Sequence, residues 1–178
     1  MADYITTYTG EHINPLEPDI EKIKIEDIAH SLSLQCRANG HFPRFYTVAQ
    51  HCIDCMTEAK ARHLSKRMQL AVLIHDAAEA YFGDIPSPVK KYFPEFEKCE
   101  LDMLNLIYIK YLGSALNEKE KKLVADIDYC MFCHEFKSIM GEQPVENMPK
   151  IYSKPDFKTR PAIEMEEIYK RYVKKYIS

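Results

Sequence analysis

From residue 25 onward, apolar side chains recur at helical spacing and not in strand-like alternation. Ile25, Ile28, Ala29, Leu32 and Cys36 fall on one face, so a first helix is expected over about 26–36, ending before Asn39-Gly40. Val48, Cys52, Ile53, Met56 and Ala59 form a second stripe, and Thr47 with Gln50 reads as the capping box that starts it. After a polar turn at 63–66, Leu70 to Ile74 run without a polar break, which predicts a helix buried on every side and closed by Gly83. Asp84-Ile85-Pro86-Ser87-Pro88 then predicts a stiff loop. An amphipathic helix is expected over about 94–111, stopped by Gly113, and its apolar positions Phe96, Leu101, Leu104, Ile107 and Ile109 read as structural. A second capping box, Asn117 with Glu120, opens a helix to about Met140. Four prolines make 141–161 irregular, and a last helix over about 162–176 carries Arg171, Lys174 and Lys175 at its dipole-negative end. Ahead of all these, Tyr4, Ile5, Tyr8 and Asn14-Pro15-Leu16-Glu17-Pro18 predict a short irregular or hairpin-like arm. The pattern implies an all-α, single-domain helical bundle over 1–178, without repeats.

A chain of 178 residues is long enough for one well-buried core. Its net charge of -3 gives no bulk attraction for nucleic acid or an anionic membrane. No apolar run approaches the roughly 20 residues of a membrane helix, and no charged-then-apolar leader opens the chain. The expectation is a soluble, cytoplasmic protein with neither nucleic acid nor membrane as partner; a homodimer is left open. Among six cysteines, Cys52/Cys55 and Cys130/Cys133 have the spacing of a four-thiolate zinc site. Both pairs fall inside predicted helices, so packing as small apolar thiols is the better reading.

Candidate chemistry concentrates where the apolar run meets polar residues. His75 and Asp76 stand side by side there, with Glu79 one helical turn beyond. Burying these groups without partners costs several kcal/mol, roughly. A divalent metal removes that cost; a hydrogen-bonded His-Asp pair without metal is the alternative. His51 lies at the margin of the second stripe, where a backbone-bonded core histidine is the commoner fate. Asp128 projects from a largely apolar face that it shares with Val124, Met131 and Glu135, whereas Asp126 sits with Lys122 and is expected at the surface. Between the first two helices, Arg37, His41 and Arg44 make the loop cationic.

The order His51, His75-Asp76, Asp128 resembles the HD-domain metal-dependent phosphohydrolase superfamily. Tyr46-Thr-Val-Ala-Gln-His51, the run from His75 through Gly83-Asp84 to Lys90, and Asp128 followed by Glu135 are similar to its bacterial 5′-deoxynucleotidase subgroup. Tyr8-Thr-Gly, Asp27-Ile-Ala-His and Cys36-Arg-Ala-Asn-Gly-His41 resemble small prophage-type members. The resemblance covers about residues 4–140, with a catalytic core at about 26–140 and the irregular segment and helix of 141–178 beyond it. It implies one divalent metal, Mn, Co, Fe, Zn or Mg, held by His51, His75, Asp76 and Asp128. It further implies Glu79 as the acid that moves protons near the attacking water, and Asp84 as a second catalytic acid in the pocket. Arg37, with His41 and Arg44 as weaker candidates, is implied to hold the substrate. Gln50 departs from the glutamate that nucleotidases often carry before this histidine. The implied activity is release of phosphate from a (deoxy)nucleoside 5′-monophosphate. The alternatives are hydrolysis of a cyclic or pyrophosphorylated nucleotide, or a catalytically silent nucleotide-binding domain.

Overall fold

The N-terminal arm is a small antiparallel hairpin, β1 (Ile5–Thr6) against β2 (His12–Ile13), with Ile5 opposite Ile13 and Thr6 opposite His12. In this structure, a computed structural model that describes residues 3–177, everything beyond the arm is helical or irregular. The arm is fastened to α1 (Ile25–Leu34): the Thr9 amide and hydroxyl donate to the buried Asp27 carboxylate at 2.6 and 2.9 Å, and Tyr8 stacks on His30.

The bundle is built around α2 (Val48–Ala61), which touches α1, α3 (Lys66–Leu73), α7 (Glu118–Met140) and α8 (Ala162–Ile177). One continuous apolar core runs from Ile13 to Val173, and α6 (Pro94–Leu112) closes it with Met103 and Ile107. The all-α architecture expected from the periodicity is thus the observed one. Local signals set most ends. Asn117 and Glu120 form the full reciprocal capping box, and Gly113 ends α6 in the left-handed region, which a Cβ would strain. Thr47 also caps as expected, accepting from the Gln50 amide at 3.0 Å. The Gln50 side chain does not return to Thr47; it donates instead to the Lys158 carbonyl at 2.8 Å, tying α2 to the irregular segment before α8.

One expectation is corrected. The helix predicted to run unbroken from Leu70 to Gly83 stops at Leu73; residues 74–78 form turns, and a single helical turn, α4 (Glu79–Phe82), follows. His75 supplies the reason. Its Nδ1 bonds the Val72 carbonyl at 2.7 Å, the acceptor that the Asp76 amide would use in a continued helix. The backbone tightens instead into three-residue turns, Ala77 to Ile74 and Glu79 to Asp76. A second correction is smaller: the proline loop after Asp84 contains a short helix, α5 (Ser87–Lys90), with Pro88 tolerated in its first turn.

Candidate metal centre

His51 projects from the first turn of α2 and is fully buried. His75 and Asp76 come from the turn after α3, and Asp128 from the middle of α7. Their donor atoms lie close together, with Asp76 reaching the two histidines through different oxygens. His51 Nε2 lies 3.0 Å from Asp128 Oδ1 and 3.7 Å from Asp76 Oδ2; His75 Nε2 lies 3.3 Å from Asp76 Oδ1 and 3.7 Å from Asp128 Oδ1. The four residues singled out in the sequence are therefore brought together, from three separate elements.

Each ring has one nitrogen fixed from behind. The Val72 carbonyl holds His75 Nδ1 in its protonated form, which leaves a lone pair on Nε2. That Nε2 is buried and has no hydrogen-bond partner. His51 Nδ1 lies 2.6 Å from Glu135 Oε1, a buried carboxylate two turns beyond Asp128 on α7. An orphaned, correctly tautomerised imidazole facing two carboxylates is the donor set a metal ion needs, with the outer hydrogen bonds that aim such ligands. A buried group of histidine, cysteine and aspartate side chains here could hold a metal ion. Burial opposes a charged ring at His75, yet Asp76 and its other neighbours hold its pKa well above the ordinary value, so without an ion Nε2 carries a proton that a metal would displace. Asp128 is the complement: burial opposes its ionisation, and the two histidines pull it well below the carboxylate range.

Glu135 organises more than one partner. Its Oε2 accepts from Arg37 Nε at 3.0 Å, and its Oε1 also lies 3.0 Å from the Tyr46 hydroxyl. Burial works against its charge, but His51 and Arg37 outweigh that and bring it down to about 2. Tyr46 sits between Glu135 and Asp54, whose Oδ2 is 2.8 Å away. A hydroxyl has one proton, so it donates to one carboxyl and accepts from the other. With Glu135 ionised, Asp54 is the carboxyl that takes up a proton as pH falls, because burial pushes it up to about 6.

Arg37 follows the bridge that pairs Cys36 with Thr47, and its own amide donates to the Tyr46 carbonyl at 2.9 Å. Ala38 and Asn39, next in the chain, both take left-handed backbone angles that cost non-glycine residues about 1 kcal/mol or more each. With Nε taken by Glu135, the terminal nitrogens lie 3.7 Å from Asp76 and 3.6 Å from Asp128, too far to hydrogen bond. The fork is positioned, with its ends ion-paired to these two carboxylates but not hydrogen-bonded to them. A cleft of about 270 Å³ lies beside it, walled by Phe42, Arg44, Phe45 and Tyr46.

The remaining residues singled out in the sequence divide. Glu79 is buried, its Oε2 has no partner, and burial together with Asp76 and Asp84 pushes its pKa well up. Asp84 is half-buried; burial raises its pKa against the pull of Arg37. Arg44 lines the cleft but spends its Nε on the Phe157 carbonyl at 3.2 Å. His41 is exposed and no contact joins it to the cluster. Asp126 is exposed and paired with Lys122 at 2.8 Å, as its stripe indicated.

Nothing in the sequence pattern marks a role for Tyr46, Asp54 or Glu135, although Glu135 shares a helical face with Asp128, and nothing in it separates one buried cysteine from another. No four-cysteine cluster forms among the described residues: Cys130 Sγ faces the Lys150 carbonyl at 3.6 Å. Cys52 and Cys55, however, lie against the cluster, with Cys55 Sγ 3.4 Å from His51 Nε2 and Cys52 Sγ 3.9 Å from Asp76 Oδ2.

Fold and site together define an all-α bundle with a buried His/Asp/Cys cluster able to hold a metal. No family model matches the chain. It is 31% identical over 156 residues to the uncharacterized protein RCAP_rcc00048 of Rhodobacter capsulatus, a match covering 83% of this chain and 78% of that protein. The chain belongs to the family of that protein. It is also 37% identical over 108 residues to the uncharacterized protein YfdR of Escherichia coli K12, covering 61% of this chain and 58% of YfdR. Less than two thirds of YfdR's length is thus spanned, and neither name states an activity. No helix among the described residues is long and apolar enough to cross a membrane.

Proposed function

We propose that this protein is a cytoplasmic, metal-dependent phosphohydrolase of the HD-domain superfamily, releasing phosphate from (deoxy)nucleoside 5′-monophosphates. The observation that carries the reading is the juxtaposition of an orphaned His75 Nε2 with an arginine whose two terminal nitrogens face Asp76 and Asp128 at ion-pair distance without hydrogen-bonding them. One end of the site can hold a divalent cation and the other can fork onto a phosphate. His51, His75, Asp76 and Asp128 would hold the ion. When bound, it supplies Lewis acidity toward a phosphoryl oxygen and makes water a better nucleophile near neutral pH.

The chain's own residues account for the rest. Glu135 keeps His51 Nδ1 protonated and holds Arg37 by its Nε, so one carboxylate orients both a ligand and the phosphate clamp. Arg37 meets the charge that grows on the phosphoryl oxygens during in-line attack. Glu79, raised by burial, takes a proton from the attacking water or returns one to the leaving oxygen. Asp84, near Arg37 and Asp76, lines the same side.

Purified protein should therefore hydrolyse nucleoside monophosphates when supplied with one of several divalent ions. His75→Ala should lose both the ion and turnover while keeping its helical circular dichroism. Metal binding without turnover on any mono-, cyclic or pyrophosphorylated nucleotide would leave a silent binding domain. Undiminished metal content in His75→Ala would remove the site itself.

A further inference from the structure

The two thiols beside the cluster are unused by the reading above, and they are not equivalent. Cys55 is one helical turn after His51 on α2, so both side chains leave the same face. The donor atoms of His51, Cys55, His75 and Asp128 all lie within 4.8 Å of one another. Their shorter separations are 3.0 Å (His51 Nε2 to Asp128 Oδ1), 3.4 Å (Cys55 Sγ to His51 Nε2) and 3.7 Å (His75 Nε2 to Asp128 Oδ1). Ligands at zinc bond lengths stand about 3.3–3.7 Å apart at the corners of a tetrahedron. Two of these three separations fall in that range, and every other pair lies within 4.8 Å. Cys52 joins only His75 and Asp76, and three donors leave such a figure incomplete.

The cluster thus offers more donors than a four-coordinate ion can use. Asp76 and Cys55 both approach His51 Nε2, at 3.7 and 3.4 Å, the one an oxygen and the other a sulfur. Oxygen donors suit magnesium and manganese, while a thiolate selects zinc and cadmium.

We propose that Cys55 is a conditional metal ligand that sorts ions at this centre. This rests on the metal site of the preceding section. A thiophilic, tetrahedral ion is taken by His51, His75, Asp128 and Cys55, whereas a hard ion is taken by the two histidines with Asp76 and Asp128. Ligation by Cys55 breaks its S–H bond, forms a metal–sulfur bond and releases one proton to solvent, with no change of oxidation state. Four protein ligands close the coordination sphere, the arrangement of structural zinc sites, and leave no position for substrate. Zinc should therefore bind tightly and inhibit, while manganese supports turnover.

Cobalt(II) added to metal-free protein reads this directly, because thiolate-bound cobalt absorbs in the near ultraviolet and cobalt on nitrogen and oxygen does not. The expected result is that band at one cobalt per chain in the parent and in Cys52→Ser, and its loss in Cys55→Ser, which still binds cobalt. Zinc affinity should fall about tenfold or more in Cys55→Ser with manganese affinity unchanged. Cobalt bound to the parent without the band overturns the role of Cys55 and leaves the metal centre standing. A band removed by Cys52→Ser and kept by Cys55→Ser assigns the wrong thiol and overturns it too. No cobalt bound at all overturns both this proposal and the metal centre, and the parent measurement needs no variant to fold.

Discussion

Glu58 and Glu79 are both buried glutamates, 0% and 8% exposed, at opposite extremes of satisfaction. Glu58, near the end of α2, accepts from Arg62 Nε at 2.7 Å, from the Tyr152 amide at 3.0 and 3.1 Å, and from the Ser153 amide at 2.7 Å. Burial alone would raise its pKa, but these donors bring it below the ordinary value. Glu79, opening α4, has one oxygen without any partner and neighbours of its own charge, and its pKa goes up. The saturated carboxylate straps the irregular segment before α8 onto the bundle. The unsatisfied one faces the charges of Asp76 and Asp84. Burial is common to both; only the partners separate a carboxylate held as an anion from one that keeps its proton.

Removing Glu58 should produce the largest effect. Glu58→Ala leaves two backbone amides and Arg62 without their acceptor and should cost about 3 kcal/mol or more, read as a fall in denaturant midpoint. Metal content of the folded fraction should stay at the parental level. A variant as stable as the parent would mean the strap is idle.

Glu79→Gln should do the reverse. It should keep its metal and melt no lower than the parent, while kcat falls about 100-fold, the scale of a lost general acid/base. Its stability should also depend differently on pH. In the folded protein Glu79 keeps its proton above the ordinary carboxyl range, where the unfolded chain has released it. Parental stability is therefore lost as pH rises through the raised pKa, and the glutamine variant escapes that loss. In metal-free protein, the variant's advantage should grow from pH 5 to pH 8. An advantage that shrinks over this range would contradict the assignment.

Asp54 lies between these extremes. Its carboxyl goes from 3.8 to about 6 on folding, so the parent loses stability, on the order of 2 kcal/mol, as pH climbs from 4 to 7. Asp54→Asn supplies the hydrogen that protonated Asp54 gives Tyr46 and should flatten that slope. An unchanged slope would place the extra proton elsewhere in the Tyr46–Glu135 network. The smallest effect belongs to Asp126→Asn: its ion pair with Lys122 is exposed, and the change should be within about 0.5 kcal/mol, with metal binding intact. If it loses metal, the wrong aspartate of α7 has been chosen.

The sequence by itself determined the helices whose ends are written in neighbouring residues. Asn117 with Glu120 starts α7 and Gly113 stops α6, because caps and left-handed turns are satisfied within a few positions. Periodicity also put Asp128 and Glu135 on one face of α7 and Asp126 off it. The break after Leu73 escaped, since the apolar run continues past it and the deciding bond, His75 Nδ1 to the Val72 carbonyl, leaves no mark in hydropathy. Only the tertiary structure decided which partners the buried charges would have. Arg37 meets Glu135 across 98 positions, His51 meets Asp128 across 77, and Glu58 meets Ser153 across 95. Local pattern can place an acid on an inward face. Whether that acid is saturated, shared or left unpartnered depends on donors from distant segments, and that sets its charge and its chemistry.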